Sequence, residues 1–215
     1  MSRRGVFVTG TDTGIGKTFA AACLVKAWNA SYWKPVQTGL TEEPGGDSAS
    51  ISRLVDIPNL PVYAPHHALA EPLSPAAAAA RAGVRVALSD FDIPPPDGRP
   101  LVVEGAGGVL VPLTPDHLIA DLIARLGLPV IVVARSTLGT INHTLLTLEA
   151  LRTRRLPVAG VILNGPPDAG NRAAIERFGA VRVIAELPRL AADPDAAAVT
   201  RLAAERIPPL DAILP

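Results

Sequence analysis

A glycine-rich stretch near the start of the chain constrains the fold more than any other feature of the sequence. It runs from Gly10 to Thr18, reads GTDTGIGKT, follows the apolar run 6–8 and opens a segment with helical periodicity. A loop of this kind between a strand and a helix binds phosphate, because its glycines let backbone N–H groups turn inward around phosphate oxygens. Its lysine reaches the β- and γ-phosphates, and its threonine hydroxyl can ligate Mg²⁺. The stretch therefore predicts a bound nucleoside triphosphate.

The spacing of this loop differs from the standard one. Five residues rather than four separate Gly10 from Gly16, so Thr11 stands where the first glycine usually lies. A chance Gly-Lys-Thr in an ordinary surface loop is the alternative. We prefer the phosphate-binding interpretation, because the strand, the loop and the helix follow one another as that function requires.

Length and composition limit the partners and the compartment. A chain of 215 residues suits one large domain, which we expect to span 1–215. Its 20 basic and 20 acidic residues balance, which gives no electrostatic reason to expect nucleic acid or an anionic membrane as partner. The sequence has one cysteine, Cys23, which we assign to the packed core, and it has no apolar leader and no membrane-length apolar run. These features favour a cytoplasmic protein.

Two charged residues stand where predicted strands end. Lys34 lies in the short strand 32–36, and Glu104 ends the buried-type strand that begins at residue 101. Ligands of open α/β sheets bind at the carboxyl edge of the strands, within reach of the phosphate loop. A solvated surface lysine is an equal alternative for Lys34. For Glu104 a metal ligand is favoured over a capping or solvated carboxylate, since a buried acid needs a partner.

Other polar positions leave alternatives open. Asp47 begins a helix, where sequence physics alone favours an N-cap and a Mg²⁺ ligand is the rival interpretation. The pair His66-His67 does not indicate a metal site, because neighbouring side chains on regular structure face different ways. Thr114-Pro115 predicts the start of a helix. Asn164 follows a strand and is compatible with a simple turn.

The order of the segments predicts the fold class. Near-continuous Val, Ile and Leu strands, among them 101–103, 130–134 and 158–163, alternate with amphipathic helices. We therefore expect an α/β fold with a mainly parallel sheet and helices on both faces, the architecture of the phosphate-loop nucleoside triphosphate hydrolases. The order of the strands within the sheet does not follow from the sequence. A helix that begins near Gly139 offers open N–H groups for an anion such as a carboxylate.

Several stretches taken together resemble one enzyme family, the dethiobiotin synthetases, which carry the extended phosphate loop. Each stretch is weak alone, but all of them occur in the right order between residues 6 and 165. The stretches are VTGTDT (8–13) with GKT (16–18), KPVQTG (34–39), EPLSP (71–75), VEGAGG (103–108) with VPL (111–113), and LGTINH (138–143).

The resemblance implies an ATP- and Mg²⁺-dependent ligase that acts on 7,8-diaminononanoate and CO2 in biotin biosynthesis. One amine forms a carbamate, a carbamate oxygen attacks the γ-phosphorus of ATP, and the second amine closes the ureido ring and expels phosphate. The resemblance also implies a homodimer in which the far carboxylate of the substrate meets the start of a helix of the partner subunit, here residues 139–142.

The roles implied by the resemblance fall on named positions. Lys17 and Lys34 would be catalytic, because they stabilise the carbamate oxygens and the transferring phosphoryl group. Mg²⁺ would be held by Thr18, Asp47 and Glu104. The nucleotide would contact Gly14, Ile15, Gly16, Lys17, Thr18, Phe19, Asp47, Glu104 and Asn164, the last through its base. The diamine or carbamate would contact Thr13, Lys34, Thr38, Gly107, Gly139, Ile141 and Asn142.

Two rival functions share this fold. A nucleotide-switched partitioning or assembly ATPase would bind protein partners, but such proteins usually carry a second lysine near the start of the loop, and residues 11–13 contain none. An amidotransferase-type cobalamin synthase also needs a glutaminase domain, and the cysteine of this chain lies in the first helix. The ligase is therefore the preferred hypothesis.

Overall fold

The computed structural model describes residues 4–190 and 193–214. Its strands, listed in chain order, are β1 (Gly5–Gly10), β2 (Ser31–Trp33), β3 (Val36–Gln37), β4 (Val62–Tyr63), β5 (His67–Ala68), β6 (Leu101–Gly108), β7 (Val130–Arg135), β8 (Val158–Asn164) and β9 (Val183–Leu187). Its helices are α1 (Lys17–Trp28), α2 (Gly46–Val55), α3 (Pro75–Ala82), α4 (Ile119–Leu126), α5 (Thr140–Thr153), α6 (Ala169–Gly179) and α7 (Ala196–Arg206). Single 3₁₀ turns lie at Leu88–Asp90 and Leu210–Ala212.

A seven-stranded parallel sheet organises these elements. Its strand order is β4-β2-β6-β1-β7-β8-β9, and the short strands β3 and β5 form a separate parallel pair. Strand β6, which contains Glu104, lies between β2, which directly precedes Lys34, and β1, which directly precedes the phosphate loop. The predicted α/β class with a mainly parallel sheet is confirmed.

Two apolar clusters cover the two faces of the sheet. Helices α1, α2 and α7 pack on one face, through side chains such as Leu24, Ile51 and Leu202. Helices α3 to α6 pack on the other, through side chains such as Leu122 and Leu148. Strands buried on both faces explain the continuous apolar runs of the sequence.

The single cysteine belongs to the first of these clusters, as predicted. Cys23 is fully buried in α1. Burial raises the pKa of its thiol to about 12, so the side chain stays a neutral thiol at physiological pH.

The prediction of a helix start at Thr114 was wrong, and the N-cap alternative for Asp47 is excluded, for the same physical reason. Helix α4 begins at Ile119, because the Thr114 hydroxyl accepts from the backbone of Asp116 and His117 in a turn and the Asp121 carboxylate caps the later start at Leu118. Asp47 does not cap α2, because Gly45 holds that position in a left-handed conformation. In both places a side chain with capping chemistry makes a different contact.

Across the residues that the structure describes, no helix combines the length and the apolarity needed to cross a bilayer.

Candidate active site

The glycine-rich loop joins β1 to α1 as predicted. Gly16 caps α1 with φ 87°, a left-handed conformation that favours glycine. A Cβ on Gly16 would overlap the side-chain amide of Asn164. That amide donates to the Ile15 carbonyl oxygen over 2.8 Å, so the end of β8 holds the loop from the side. Asn164 is therefore the last residue of β8, and its side chain contacts the phosphate loop. This contact excludes the interpretation of Asn164 as a turn residue only.

Lys17 opens α1 and points back over the loop. Its ammonium donates to the Asp12 carbonyl oxygen over 3.0 Å, and the side chain is largely buried. Burial lowers the pKa of Lys17, and the carboxylate of Glu104 acts in the opposite direction. The loop thus places a desolvated ammonium where the sequence predicts a phosphate contact.

Three oxygens meet beside the loop. The Thr18 hydroxyl lies 2.6 Å from Asp47 Oδ1 and 2.9 Å from Glu104 Oε1. Asp47 comes from the first turn of α2. Glu104 lies in the middle of β6, which continues to Gly108, so the prediction that Glu104 ends its strand was wrong. One hydroxyl has one proton, so it can donate to only one of these carboxylates at a time. The arrangement leaves one of two close carboxylate oxygens without a hydrogen bond from Thr18.

Lys34 connects the same two carboxylates. It follows β2, and its ammonium lies 2.6 Å from Asp47 Oδ2 and 3.2 Å from Glu104 Oε1. It also donates to the Gly105 carbonyl oxygen over 3.3 Å. Only 4% of Lys34 is exposed, which rules out a solvated surface lysine.

Charge pairing decides the protonation of these groups. Burial favours the neutral amine of Lys34, but Glu104 and Asp47 together outweigh it and the pKa of Lys34 lies above its ordinary value. Burial likewise favours protonated Asp47, but the Lys34 ammonium outweighs it and the pKa of Asp47 lies below its ordinary value. Both groups are therefore ionised at neutral pH.

The donor set fits Mg²⁺. Hydroxyl and carboxylate oxygens are the ligands that this hard cation takes from proteins, and one or two carboxylates with substrate phosphates complete such sites. The Thr18 hydroxyl can donate to only one of the two nearby carboxylate oxygens. A cation between the two carboxylates would reduce the repulsion between them. In the described part of the chain no three His, Cys, Asp and Glu residues form a metal cluster, so a cation here would depend on Thr18 and on a bound phosphate.

Sequence reasoning missed two further side chains. The Tyr32 hydroxyl, fully buried in β2, donates to Glu104 Oε2 over 2.8 Å. Arg135, the last residue of β7, pairs with Asp12 Oδ2 over 2.6 Å and so ties the loop to the next strand. Arg135 carries the signal that identified Lys34 and Glu104, a charge at the carboxyl end of a strand. No such signal marks Tyr32, because tyrosine is common in buried strands and does not by itself indicate a functional site.

Three hollows surround the loop. The lysine cleft, of about 990 Å³, contains Lys17, Lys34 and the two carboxylates, together with Thr13, Thr38 and Gly107. The arginine cavity, of about 590 Å³, is lined by Gly14, Ile15, Gly16, Phe19, Asn164, Arg135 and Arg189. A third cavity, of about 490 Å³, lies between the start of the loop, residues 108–111 and α5. Thr13 borders all three.

The structure brings most of the predicted site residues together, but it leaves one group apart. Gly139, Ile141 and Asn142 lie at the start of α5 and line none of the three hollows. The neighbouring Leu138 is 99% exposed. Within one chain these residues do not face the lysine cleft.

A parallel sheet with a phosphate loop after its first strand, and a lysine, a threonine and two carboxylates around that loop, defines a phosphate-loop nucleotide-binding enzyme. A family model described as an AAA domain matches residues 4–193. A ParA family ATPase from Chlorobium tepidum shares the architecture, with a TM-score of 0.53 over 95% of this chain and 99% of that one. At 11% sequence identity, this likeness concerns the fold alone.

Sequence relatives narrow the class. The chain is 54% identical over 189 residues to an ATP-dependent dethiobiotin synthetase of Paramagnetospirillum magneticum, covering 88% of this chain and 90% of that protein. It is 50% identical over 190 residues to the enzyme of the same name from Agrobacterium fabrum, covering 88% of each. The chain belongs to the dethiobiotin synthetase family.

One relative is a longer protein in which a similar sequence forms only a part. The biotin biosynthesis bifunctional protein of Bordetella avium is 54% identical over 211 residues, which cover 98% of this chain. The chain spans only 44% of the length of that relative.

Proposed function

We propose that this chain closes a cyclic urea on 7,8-diaminononanoate with CO2 at the expense of ATP, giving dethiobiotin, ADP and phosphate. The observation that carries the proposal is the lysine cleft, where two buried ammonium groups face a phosphate loop in a member of the dethiobiotin synthetase family. Phosphate loops position triphosphates, and ammonium groups stabilise oxygens that gain negative charge.

The reaction has three chemical steps. One amine adds to CO2 and loses a proton, which gives a carbamate. A carbamate oxygen then forms a bond to the γ-phosphorus, ADP leaves, and a carbamic-phosphoric anhydride results. The second amine attacks the carbamoyl carbon, loses a proton and expels phosphate as the ring closes. Each step places negative charge on oxygens, so positioning and charge neutralisation account for catalysis.

Lys34 and Lys17 supply that neutralisation. The raised pKa of Lys34 keeps its ammonium charged at neutral pH, and its contacts with Asp47 and Glu104 aim it into the cleft that also holds the loop. Thr18, Asp47 and Glu104 would hold Mg²⁺, which when bound neutralises part of the triphosphate charge.

We assign the substrates to the three hollows around the loop. In our proposal the base and ribose of ATP occupy the arginine cavity beside Asn164, and the phosphates extend over Gly14 to Phe19 into the lysine cleft. The two amines lie near Thr13, Thr38 and Gly107. The apolar chain of the diamine follows the third cavity, where Leu110, Val111 and Leu146 offer matching apolar surface.

We also propose that the enzyme is a cytoplasmic homodimer. The exposed Leu138 precedes α5 and the exposed Leu146 lies in the middle of α5; both would be partly covered in a dimer. Gly139, Ile141 and Asn142, which line none of the three hollows around the loop, would then meet the carboxylate of a diamine bound to the partner subunit. Sedimentation equilibrium should give twice the chain mass of 22.3 kDa; a monomer at assay concentrations would contradict the dimer.

The proposed reaction is tested by phosphate release from ATP with Mg²⁺ and bicarbonate, with and without 7,8-diaminononanoate. We expect release only with the diamine, in one-to-one ratio with a product heavier by one carbonyl group less two hydrogens. ATP cleavage that ignores the diamine and responds to a protein or DNA surface would instead support a partitioning-type ATPase.

A further inference from the structure

The two oxygens of Glu104 have different surroundings. Oε1 faces the Thr18 hydroxyl at 2.9 Å and the Lys34 ammonium at 3.2 Å, on the side of the lysine cleft. Oε2 accepts from the Tyr32 hydroxyl at 2.8 Å, inside the core. Glu104 is 1% exposed and Tyr32 is 0% exposed, so water does not compete for these positions.

Strand geometry places Tyr32 on the same face of the sheet as Glu104. Tyr32 pairs with Val102 in the parallel ladder between β2 and β6. Val102 and Glu104 are two residues apart and so share a face, and the same alternation puts Lys34 on the face of Tyr32. Tyr32 and Lys34 therefore lie on the same face of the sheet, and they contact different oxygens of the Glu104 carboxylate.

A phenolic hydroxyl with no solvent access needs a partner, because an unpaired buried donor loses its hydrogen bonds to water without replacement. Phenylalanine would fill the same volume without that requirement. The partner that Tyr32 has is the carboxylate oxygen that points away from the cleft. Its hydrogen bond fixes the rotation of the carboxylate, so that one oxygen, and one only, is presented to the phosphate side.

We propose that Tyr32 is a positioning residue that restricts Glu104 to one oxygen in metal binding and thereby favours Mg²⁺ over Ca²⁺. Mg²⁺ takes octahedral ligands from single carboxylate oxygens and water, whereas Ca²⁺ accepts seven or eight ligands and readily takes both oxygens of a carboxylate. An outer hydrogen bond to a ligand typically changes metal affinity about 10- to 100-fold. The inference rests on the proposed function only in taking the Thr18, Asp47 and Glu104 oxygens as the metal site.

The test compares Tyr32→Phe with Tyr63→Phe. Tyr63 is the other tyrosine of the chain, and its hydroxyl contacts Asp97 and Pro95 at 2.9 and 3.3 Å, on a different element from the site. Each variant loses one oxygen atom. Mg²⁺ and Ca²⁺ affinities are measured by calorimetry with saturating ADP, and melting of the metal-free proteins reports any loss of stability.

We expect Tyr32→Phe to bind Mg²⁺ about 10-fold more weakly, with a smaller change for Ca²⁺, so that the Mg²⁺/Ca²⁺ affinity ratio falls about 10-fold. Tyr63→Phe should keep the wild-type ratio. A Tyr32→Phe protein with a lower melting temperature but the wild-type Mg²⁺/Ca²⁺ affinity ratio would overturn the inference, because the hydroxyl would then contribute only to the stability of the core.

A second measurement needs no variant. Infrared difference spectra of the wild-type protein should show the widely separated carboxylate stretches of one-oxygen coordination when Mg²⁺ binds; the narrow separation of two-oxygen coordination would overturn the inference. No diamine or turnover is involved. A failure of dethiobiotin formation in the wild-type protein would therefore count against the proposed function and leave this result standing.

Discussion

Lys34→Ala is expected to lower kcat about 10²- to 10³-fold, the range seen when one preorganised donor to a transition state is removed. The affinity for ATP should change little, because the phosphate loop and Lys17 remain. The variant also removes the ammonium that contacts Asp47 and Glu104, and breaking a buried ion pair costs about 3–5 kcal/mol. Single-turnover rates and ATP binding should therefore be measured with Mg²⁺ present.

Lys26→Ala is the matched control for Lys34→Ala. The lysines of this chain are Lys17, Lys26 and Lys34, and Lys26 donates to the carbonyl oxygens of Val55 and Asp56 at the end of α2. Its loss should leave kcat within about twofold, as for a surface contact. Near wild-type turnover in Lys34→Ala would remove Lys34 from the mechanism.

Glu104→Gln is expected to raise the Mg²⁺ concentration for half-maximal activity at least about 100-fold, beyond the typical effect of an outer-shell change. The substitution keeps the size of the side chain and removes its charge, so Lys34 keeps only Asp47 as a carboxylate partner. An amide also offers one acceptor oxygen for Tyr32, Thr18 and Lys34 together, where the carboxylate offers two. The measurement is a Mg²⁺ titration of diamine-dependent phosphate release.

Glu186→Gln provides the comparison. Glu186 is also a strand carboxylate in an ion pair, with Arg172 at 2.9 Å, but it lies on β9. Its Mg²⁺ titration should match that of the wild-type protein. An unchanged titration in Glu104→Gln would instead favour a purely structural role for the buried acid.

Local signals in the sequence sufficed for much of the fold. The phosphate loop was recognisable because glycine, lysine and hydroxyl spacing is dictated by the ligand rather than by the rest of the chain. Apolar runs as continuous as 130–134 are tolerated only when a strand is covered on both faces. The same reasoning placed Lys34 and Glu104 together: Lys34 directly follows β2, and its ammonium lies 3.2 Å from Glu104 Oε1, although Glu104 stands in the middle of its strand rather than at the end.

What the sequence could not supply depends on distant contacts. The strand order puts β6 between β2 and β1, although many residues separate these strands along the chain. Asp47 has the composition of an N-cap, and only the approach of Lys34 and Thr18 from other elements shows its actual contacts. Thr114 failed as a helix start for the same reason, since the competing cap, Asp121, is equally plausible in sequence. The roles assigned to individual site residues stay predictions until the variants are measured.

Successive side chains of β2 point to opposite faces of the sheet, so the contacts with Glu104 depend on the register of this strand. Tyr32 joins the apolar cluster on the α1 face, and Trp33 joins the cluster on the opposite face. A slip of one residue would turn the lysine and the tyrosine away from Glu104 together and bring an indole toward the carboxylate. A slip of two would keep the face but carry both side chains past their partner. An insertion ahead of β2 is therefore tolerated only if the preceding turn accommodates every added residue and the register of β2 is unchanged. The turn at Asn29 and Ala30 thus affects the active site without contacting it.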